Sequence, residues 1–406
     1  MTDPEPISAP HAPISPNRLS PWSFVVRFGL VSMLADFVYE GARSITGPYL
    51  ATFGASAALV GFLTGAGEAV ALMFRMVTGP LSDRTGRHWA LSIAGYAITI
   101  VSVPLLAVTT SLWPAAALVI SERFGKAVRS PARDTMLAQA STATGRGKTF
   151  AVHEALDQSG ALLGPLLVAA TIAISGGYRL GFAVLAVPGI MALLTLIRLR
   201  RAAPTPAAYD PGHRALRETS TAPTRLPIRF WLYVAFTATS MTGFATFGVL
   251  AYHLQVRHVI AAELIPVTYA AAMGTAAVAA LGSGWLYDRI GLRGLIIALP
   301  LSAVVPMLSF ATAPILVWAG AVVWGGVLGI HESTLRAAVA DIVPAHRRGT
   351  GYGIFTATYG LAWLAGSTVI GALYGHSLAA VTAFVIGTQV VALALFVPLA
   401  VARTAG

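Results

Sequence analysis

The stretch Gly79–Leu91, GPLSDRTGRHWAL, lies between two long apolar runs and carries Asp83, Arg84 and Arg87 beside two glycines. A related stretch, GWLYDRIGLRGLI, occupies Gly284–Ile296, 205 residues further on. Gly79, Leu81, Asp83, Arg84 and Gly86 of the first match Gly284, Leu286, Asp288, Arg289 and Gly291 of the second. A charged turn repeated at the same place in two apolar halves describes one membrane unit built twice.

The bulk composition agrees. Of 406 residues, 56% are hydrophobic and 11% charged, and the mean hydropathy is +0.73. That balance excludes an ordinary soluble domain. A membrane span takes about 20 apolar residues, so twelve spans with short connections use most of the chain. The expected fold class is an all-α integral membrane protein with twelve transmembrane helices. Residues 1–20 read as a polar, disordered cytoplasmic tail, 21–201 as a first six-helix bundle, 202–227 as a Pro- and Arg-rich cytoplasmic linker, and 228–406 as a second six-helix bundle with a short tail. The absence of cysteine excludes disulfides and thiolate metal sites. A net charge of +11 would suit nucleic acid in a soluble protein; in a membrane protein it reports topology. Outside the spans, Arg179 and Arg257 fall on one side, and every other Lys and Arg falls in the tails and even-numbered connections. This bias puts both termini in the cytoplasm of a multi-pass plasma-membrane protein, with the lipid bilayer as partner and no nucleic acid.

The pattern G-x-L-x-D-R-x-G-R resembles the loop motif between helices 2 and 3 of major facilitator superfamily transporters. The resemblance implies that superfamily's fold, two six-helix bundles with a small-molecule substrate site between them at mid-membrane. It also assigns a conformational latch to Gly79, Asp83, Arg84, Gly86 and Arg87, with Asp288 and Arg289 as the second-half copy. Physically, the glycines let the backbone turn at the membrane surface. The aspartate can sit at a helix N-terminus or pair with an arginine. Arg87 and His88 also fit plain positive-inside anchors.

Charges inside spans are costly, roughly 2.5 kcal/mol or more each on insertion scales, so they face a wet cavity or one another. Span 1, about residues 21–50, carries Asp36, Glu40 and Arg43 at i, i+4 and i+7, on one helix face. A Glu40–Arg43 pair bracing the helix is the bland reading of the last two. Glu68 sits in the middle of span 2 among small residues. Span 4 carries a stripe of Glu122, Lys126, Arg129 and Arg133, with Arg123 beside it. Its deep members read as functional, whereas Arg129, Arg133 and Asp134 read as anchors at the cytoplasmic end. The stripe falls where the superfamily's antiporter-associated R-x-x-Q-G motif stands in helix 4; Arg123 matches the arginine, and Lys126-Ala127 replace Gln-Gly. In span 5, His153, Asp157, Gly160 and Gly164 share a face, with Glu154 adjacent. Gly160-x-x-x-Gly164-Pro165 resembles the helix 5 motif of drug and metabolite antiporters, without its trailing Gly-Gly. The resemblance implies a gating helix, since glycines permit close helix approach and proline bends the helix. The second half is poorer in deep charge. It offers His331 and Glu332 in span 10 and Tyr359 and Trp363 in span 11, so the polar wall comes from the first half and the aromatic wall from the second.

These readings converge on proton-coupled export of a small organic molecule. Asp36, Glu40, Glu68, Glu122 and Asp157 are the candidate proton carriers, Asp36 and Glu40 foremost. Arg43, Arg123, Lys126, His153, Glu154, His331, Glu332, Tyr359 and Trp363 are the candidate cavity residues. No G-x-x-x-x-G-K-[ST] sequence occurs, so the expected driving force is the proton gradient, with no cofactor and no metal. Two alternatives stay open: proton-linked uptake, to which the Arg123–Lys126–Arg129 stripe would bring an anionic substrate, and a non-transporting membrane sensor. Neither a nucleophile elbow nor H-E-x-x-H is present, so no enzyme is expected. One chain supplies both halves and need not oligomerise.

Overall fold

The computed structural model describes residues 17–210, 225–344 and 347–401. Among these, every regular element is helical. Ten stretches are long and apolar enough to cross a membrane. The helix α5 (Leu112–Thr144) is not one of them, because Glu122, Arg123, Lys126, Arg129, Arg133 and Asp134 interrupt its apolar run. The stretch Leu264–Ser309 counts once although it contains α11 (Leu264–Ile290), a 3₁₀ segment and α12 (Ala298–Ser309).

The helix α1 (Pro21–Thr52) starts where Ser20 accepts a hydrogen bond from the Ser23 amide, with Pro21 in the first turn. The helices α2 (Ala57–Met73) and α3 (Arg75–Thr85) form one long element jointed at Phe74. Asp83 and Arg84 belong to the last turn of α3, and Gly79 lies inside it. The charged turn expected over Gly79–Arg87 is therefore shorter. It consists of Gly86, at φ +62°, and Arg87, before α4 (His88–Leu105) begins. Gly86 alone needs glycine's access to the left-handed region. Next come α5, α6 (Arg146–Ser175), and α7 (Tyr178–Val184) jointed to α8 (Ala186–Ala202).

Residues 1–16 of the expected tail and 211–224 of the expected linker lie outside the described residues. The ends that are described are tied to each other. Asn17 exchanges hydrogen bonds with the Thr205 backbone, and Tyr209 donates to the Leu19 carbonyl at 2.8 Å.

The second half contains α9 (Ile228–Thr242), α10 (Phe247–Val256), α11, α12, α13 (Pro314–Ile342), α14 (Arg348–Tyr374) and α15 (Leu378–Val401). The break between α9 and α10 leaves carbonyls unpaired, and Trp324 of α13 donates its indole N–H to that of Ala245 at 2.9 Å. Two apolar cores lie within residues 24–209, and a third is drawn almost wholly from 230–399. The halves meet along α1 with α10, α2 with α14, and α6 with α11.

Small residues set how closely helices approach. In the first half a Cβ on Gly160 would press on the Met33 carbonyl, and one on Gly164 on the Phe37 carbonyl. In the second half Gly325 and Gly329 of α13 lie in the same way against the Ala272 and Ala276 carbonyls of α11. With lipid tails as apolar as the side chains, such close backbone packing holds helices together.

Gly164→Val is expected to lower the melting temperature of the detergent-purified protein by several degrees, the overpacking cost being about 1–3 kcal/mol. Gly147→Ala, whose added Cβ meets nothing within 4 Å, is expected to leave it unchanged or raise it slightly. Equal melting curves for the two variants would refute this packing account.

Candidate functional site: a buried ion-pair network beside a central cavity

At mid-depth α1, α2 and α5 bring four acids and four cations together. Arg43 lies 2.8 Å from Glu68 and 3.5 Å from Glu40. Arg123 lies 3.1 Å from Glu68 and 3.2 Å from Glu122. Arg129 reaches Asp36 at 3.3 Å and stacks over the Tyr96 ring at 4.5 Å. Tyr39 presents its ring to three cations, the Lys126 ammonium 3.6 Å and the Arg123 and Arg43 guanidinium groups 4.4 and 6.0 Å from its centre. The second half contributes Tyr269 of α11, which donates its hydroxyl to Glu40.

A second cluster lies nearer the end that carries Arg84 and Arg289. Arg133 contacts Asp134 at 2.9 Å and Asp157 at 3.6 Å, and His153 stands 3.9 Å from Asp157. The other oxygen of Asp157, Oδ1, is buried without a hydrogen bond among the described residues. Asp157 is thus the most loosely held acid of the site.

Both clusters border one cavity of about 220 Å³. Its polar wall includes Asp36, Glu40, Arg43, Glu68, Lys126 and Asp157 from the first half. Its other wall is formed by Met273, Ala276, His331, Phe355, Tyr359 and Trp363 from the second. Glu154 and Glu332 border it too and are exposed. Among the other expected cavity residues, Arg123 and His153 lie behind the wall, as does Glu122 among the acids; all three are buried.

The sequence reads Arg129, Arg133 and Asp134 as anchors and loop partners at the cytoplasmic end of span 4. The structure corrects this for the two arginines. Arg129 is 0% exposed, and Arg133 joins Asp157 across the α5–α6 contact. The i+7 spacing shows only that Arg129 shares a face of α5 with Glu122; the helices packed on that face bury both. Tyr39 and Tyr269 were missed. Tyr39 could have been found, since it lies between Asp36 and Arg43 and borders the face they define. Tyr269 has no such signal, because its helix carries no charge until Asp288.

The cavity is closed toward the end bearing Arg179 and Arg257. There Gly47 lies against Gly248, Gly61 against Ser367, and Gly371 against Ala57, backbone on backbone. Thr64 and Thr246 share a hydrogen bond of 2.7 Å across the halves, and Tyr178 donates to Gln255. Toward the other end the lining reaches Asp134, whose side chain is 51% exposed. At that end Asp83, Arg84, Arg87, Asp288 and Arg289 are all exposed. Among the described residues neither Asp83 nor Asp288 forms an ion pair, and Arg289 lies over its own helix's Trp285 at 3.8 Å. Gly160, Gly164 and Pro165 all lie within α6, the helix that faces both α1 and α11.

Two paired halves, a charged cavity between them and closure at one end define a transporter-like membrane fold. The chain belongs to the Major Facilitator Superfamily, whose family model matches residues 28–367. It is 49% identical to the uncharacterized protein Rv2265 of Mycobacterium tuberculosis over 389 residues, 95% of either chain. It is 28% identical to the uncharacterized MFS-type transporter MJ1317 of Methanocaldococcus jannaschii over 144 residues, 35% of this chain and 36% of that one. The fold is similar to that of the nucleoside transporter NupG, with a TM-score of 0.74 at 14% identity over 93% of this chain and 99% of the other. The peptide transporter POT in complex with sulfate gives 0.71 at 13% identity over 93% of each chain. A bacterial homologue of the human lysosomal transporter Spinster, inward-facing and occupied, gives 0.67 at 16% identity over 93% and 95%. The fold and family point to a transporter and not an enzyme.

Glu68→Gln strips the common partner from Arg43 and Arg123. Breaking one side of a buried pair costs about 3–5 kcal/mol, so the variant is expected to melt well below the parent. Exposed Glu154→Gln is expected to melt with it. Unfolding followed by scanning fluorimetry in detergent checks both, and a Glu68→Gln protein as stable as the parent would remove the network from the fold's support.

Proposed function

We propose that this protein is a secondary active transporter that exports a small organic molecule in exchange for protons, by alternating access. In this reading twelve spans form two six-helix bundles, α5 being a charged span and the stretch Leu264–Ser309 two spans. Both termini face the cytoplasm, the membrane is the plasma membrane, and one chain is the working unit. The observation that carries the reading is the placement of Asp36, Glu40, Glu68 and Asp157 on the wall of a cavity shared by both halves.

A carboxylate beside a cation favours its charged form, and a proton arriving from the cavity competes with that cation. Protonation of Glu40 would loosen Arg43 and weaken the link to Tyr269 across the halves. Protonation of Asp157 would free Arg133. Either event changes what holds the halves and what the cavity offers a ligand, which is the requirement for exchange. Asp36 and Glu40 are proposed as the principal proton carriers, and the loosely held Asp157 as a third.

The open side of the cavity is the side rich in Lys and Arg, which the positive-inside rule assigns to the cytoplasm. The structure would then be inward-facing, with the helix 2–3 motif at the parted surface. There Asp83 and Asp288, which form no ion pair among the described residues, would each meet an arginine or a helix N-terminus when that surface closes. Gly160, Gly164 and Pro165 would let α6 pivot on α1.

The test is flux in proteoliposomes with an imposed pH gradient and a pH-sensitive dye, adding cationic, zwitterionic and anionic compounds to either side. Exchange is expected to dissipate the gradient as the compound moves against the protons. Asp36→Asn and Glu40→Gln are each expected to abolish coupled flux while the protein remains monodisperse and folded. Co-movement of compound and protons would replace export by uptake, and undiminished coupling in both variants would remove these acids from the proton path.

A further inference from the structure

The cavity's hydrogen-bonding groups are unevenly spent. Its deep acids are committed to the protein: Asp36 to Arg129, Glu40 to Arg43 and Tyr269, Glu68 to Arg43 and Arg123. Several of its donors are not. The Lys126 ammonium borders the cavity and has Tyr39's ring beneath it. Among the described residues it has no ion pair and no hydrogen bond; the acids around it, Asp36, Glu40 and Glu122, are paired with other cations. Trp363, 2% exposed, has an indole N–H with no acceptor, and His331, 2% exposed, has an unpartnered Nδ1 that donates or accepts according to its tautomer. Both border the same cavity. The three are joined by contacts: Lys126 and Arg43 share Tyr39, Arg43 lies 5.8 Å from the Trp363 ring, and Trp363 and His331 share Phe244. Among the remaining acids, Asp157 keeps one unpartnered oxygen beside Arg133 and His153, at the cavity's other cluster, and Glu154 and Glu332 are exposed.

Buried polar groups without partners mark where a ligand supplies them. We propose that this cavity binds an organic anion, with Lys126 taking the anionic group and Trp363 and His331 holding an aromatic or acceptor-bearing body. The inference rests on the transport reading for its use of the site, and names the substrate class. The volume of about 220 Å³ lies below the ~300–1,000 Å³ of drug-sized pockets, which restricts the body to roughly one ring. Outward movement of an anion and inward movement of a proton both carry positive charge inward, so a membrane potential negative inside would drive both.

The experiment measures binding to the detergent-purified full chain by calorimetry. The probes are benzoate, benzyl alcohol and benzylammonium, one ring with three charges. Benzoate is expected to bind best and to be displaced least by benzylammonium. Lys126→Gln is expected to weaken benzoate by about 10- to 100-fold, the worth of a charge-assisted hydrogen bond. Lys126→Arg is expected to keep most of the affinity. Preference for benzylammonium, binding by none of the three at millimolar concentration, or benzoate binding indifferent to Lys126→Gln would overturn the inference. The ranking of probes on the parent needs no variant and stands even if Lys126→Gln misfolds. Benzoate bound through Lys126 but never moved in proteoliposomes would leave this inference intact and sink the transport reading.

Discussion

Charge in a low-dielectric interior must be answered by charge, and the centre of this molecule is arranged around that constraint. Asp36, Glu40, Glu68 and Glu122 meet Arg43, Arg123 and Arg129 in a chain of contacts of 2.8–3.5 Å. The packing of the first half serves the same end. A Cβ on Gly67 would come within 2.8 Å of the Arg123 stem, and one on Gly95 within 2.7 Å of the Arg129 Cβ. These glycines make room for arginine side chains that must lie flat between helices to reach their acids. In the proposed exchange, stability and function would draw on the same residues. The network that makes burial tolerable is also the one a proton would disturb.

The second half solves its interior differently. It stacks Phe244 on Trp324 at 5.5 Å with the rings nearly parallel, and sets Phe247 edge-on to Tyr269 at 4.6 Å. Where its backbone is broken, between α9 and α10, an indole N–H closes the gap. The halves share a plan and divide the labour: one carries charge, the other carries rings. A ligand between them meets an electrostatic surface on one side and a shape-defining surface on the other.

The membrane class and the helical placement of the deep charges were legible in the sequence, because hydropathy and helix periodicity act locally. Asp36, Glu40 and Glu68 border the cavity, as the cost of burying them implies. Three features were not legible. The depth of Arg129 follows from where α5 sits in the bundle, which no local pattern encodes. The part played by Tyr269 depends on α11 crossing the first half at the level of Glu40, a contact 229 residues long in sequence. The length of α3 hides the turn: Gly79 looks like a hinge but continues the helix, and only Gly86 takes the left-handed backbone conformation. Periodicity shows which face a residue occupies; it does not show what that face meets.

The closed end has a mechanical consequence. Gly47 on Gly248, Gly61 on Ser367 and Ala57 on Gly371 make a seam of nearly bare backbone, crossed by hydrogen bonds between neutral groups such as Thr64 with Thr246. At all three contacts the nearest atoms facing Gly47, Gly61 and Gly371 are backbone. Such a seam has little grip: parting it would change scarcely any rotamer and strand no charge. In the proposed alternating-access cycle the two halves would roll over one another like smooth rods, with the friction of the stroke concentrated in the charged middle of the molecule.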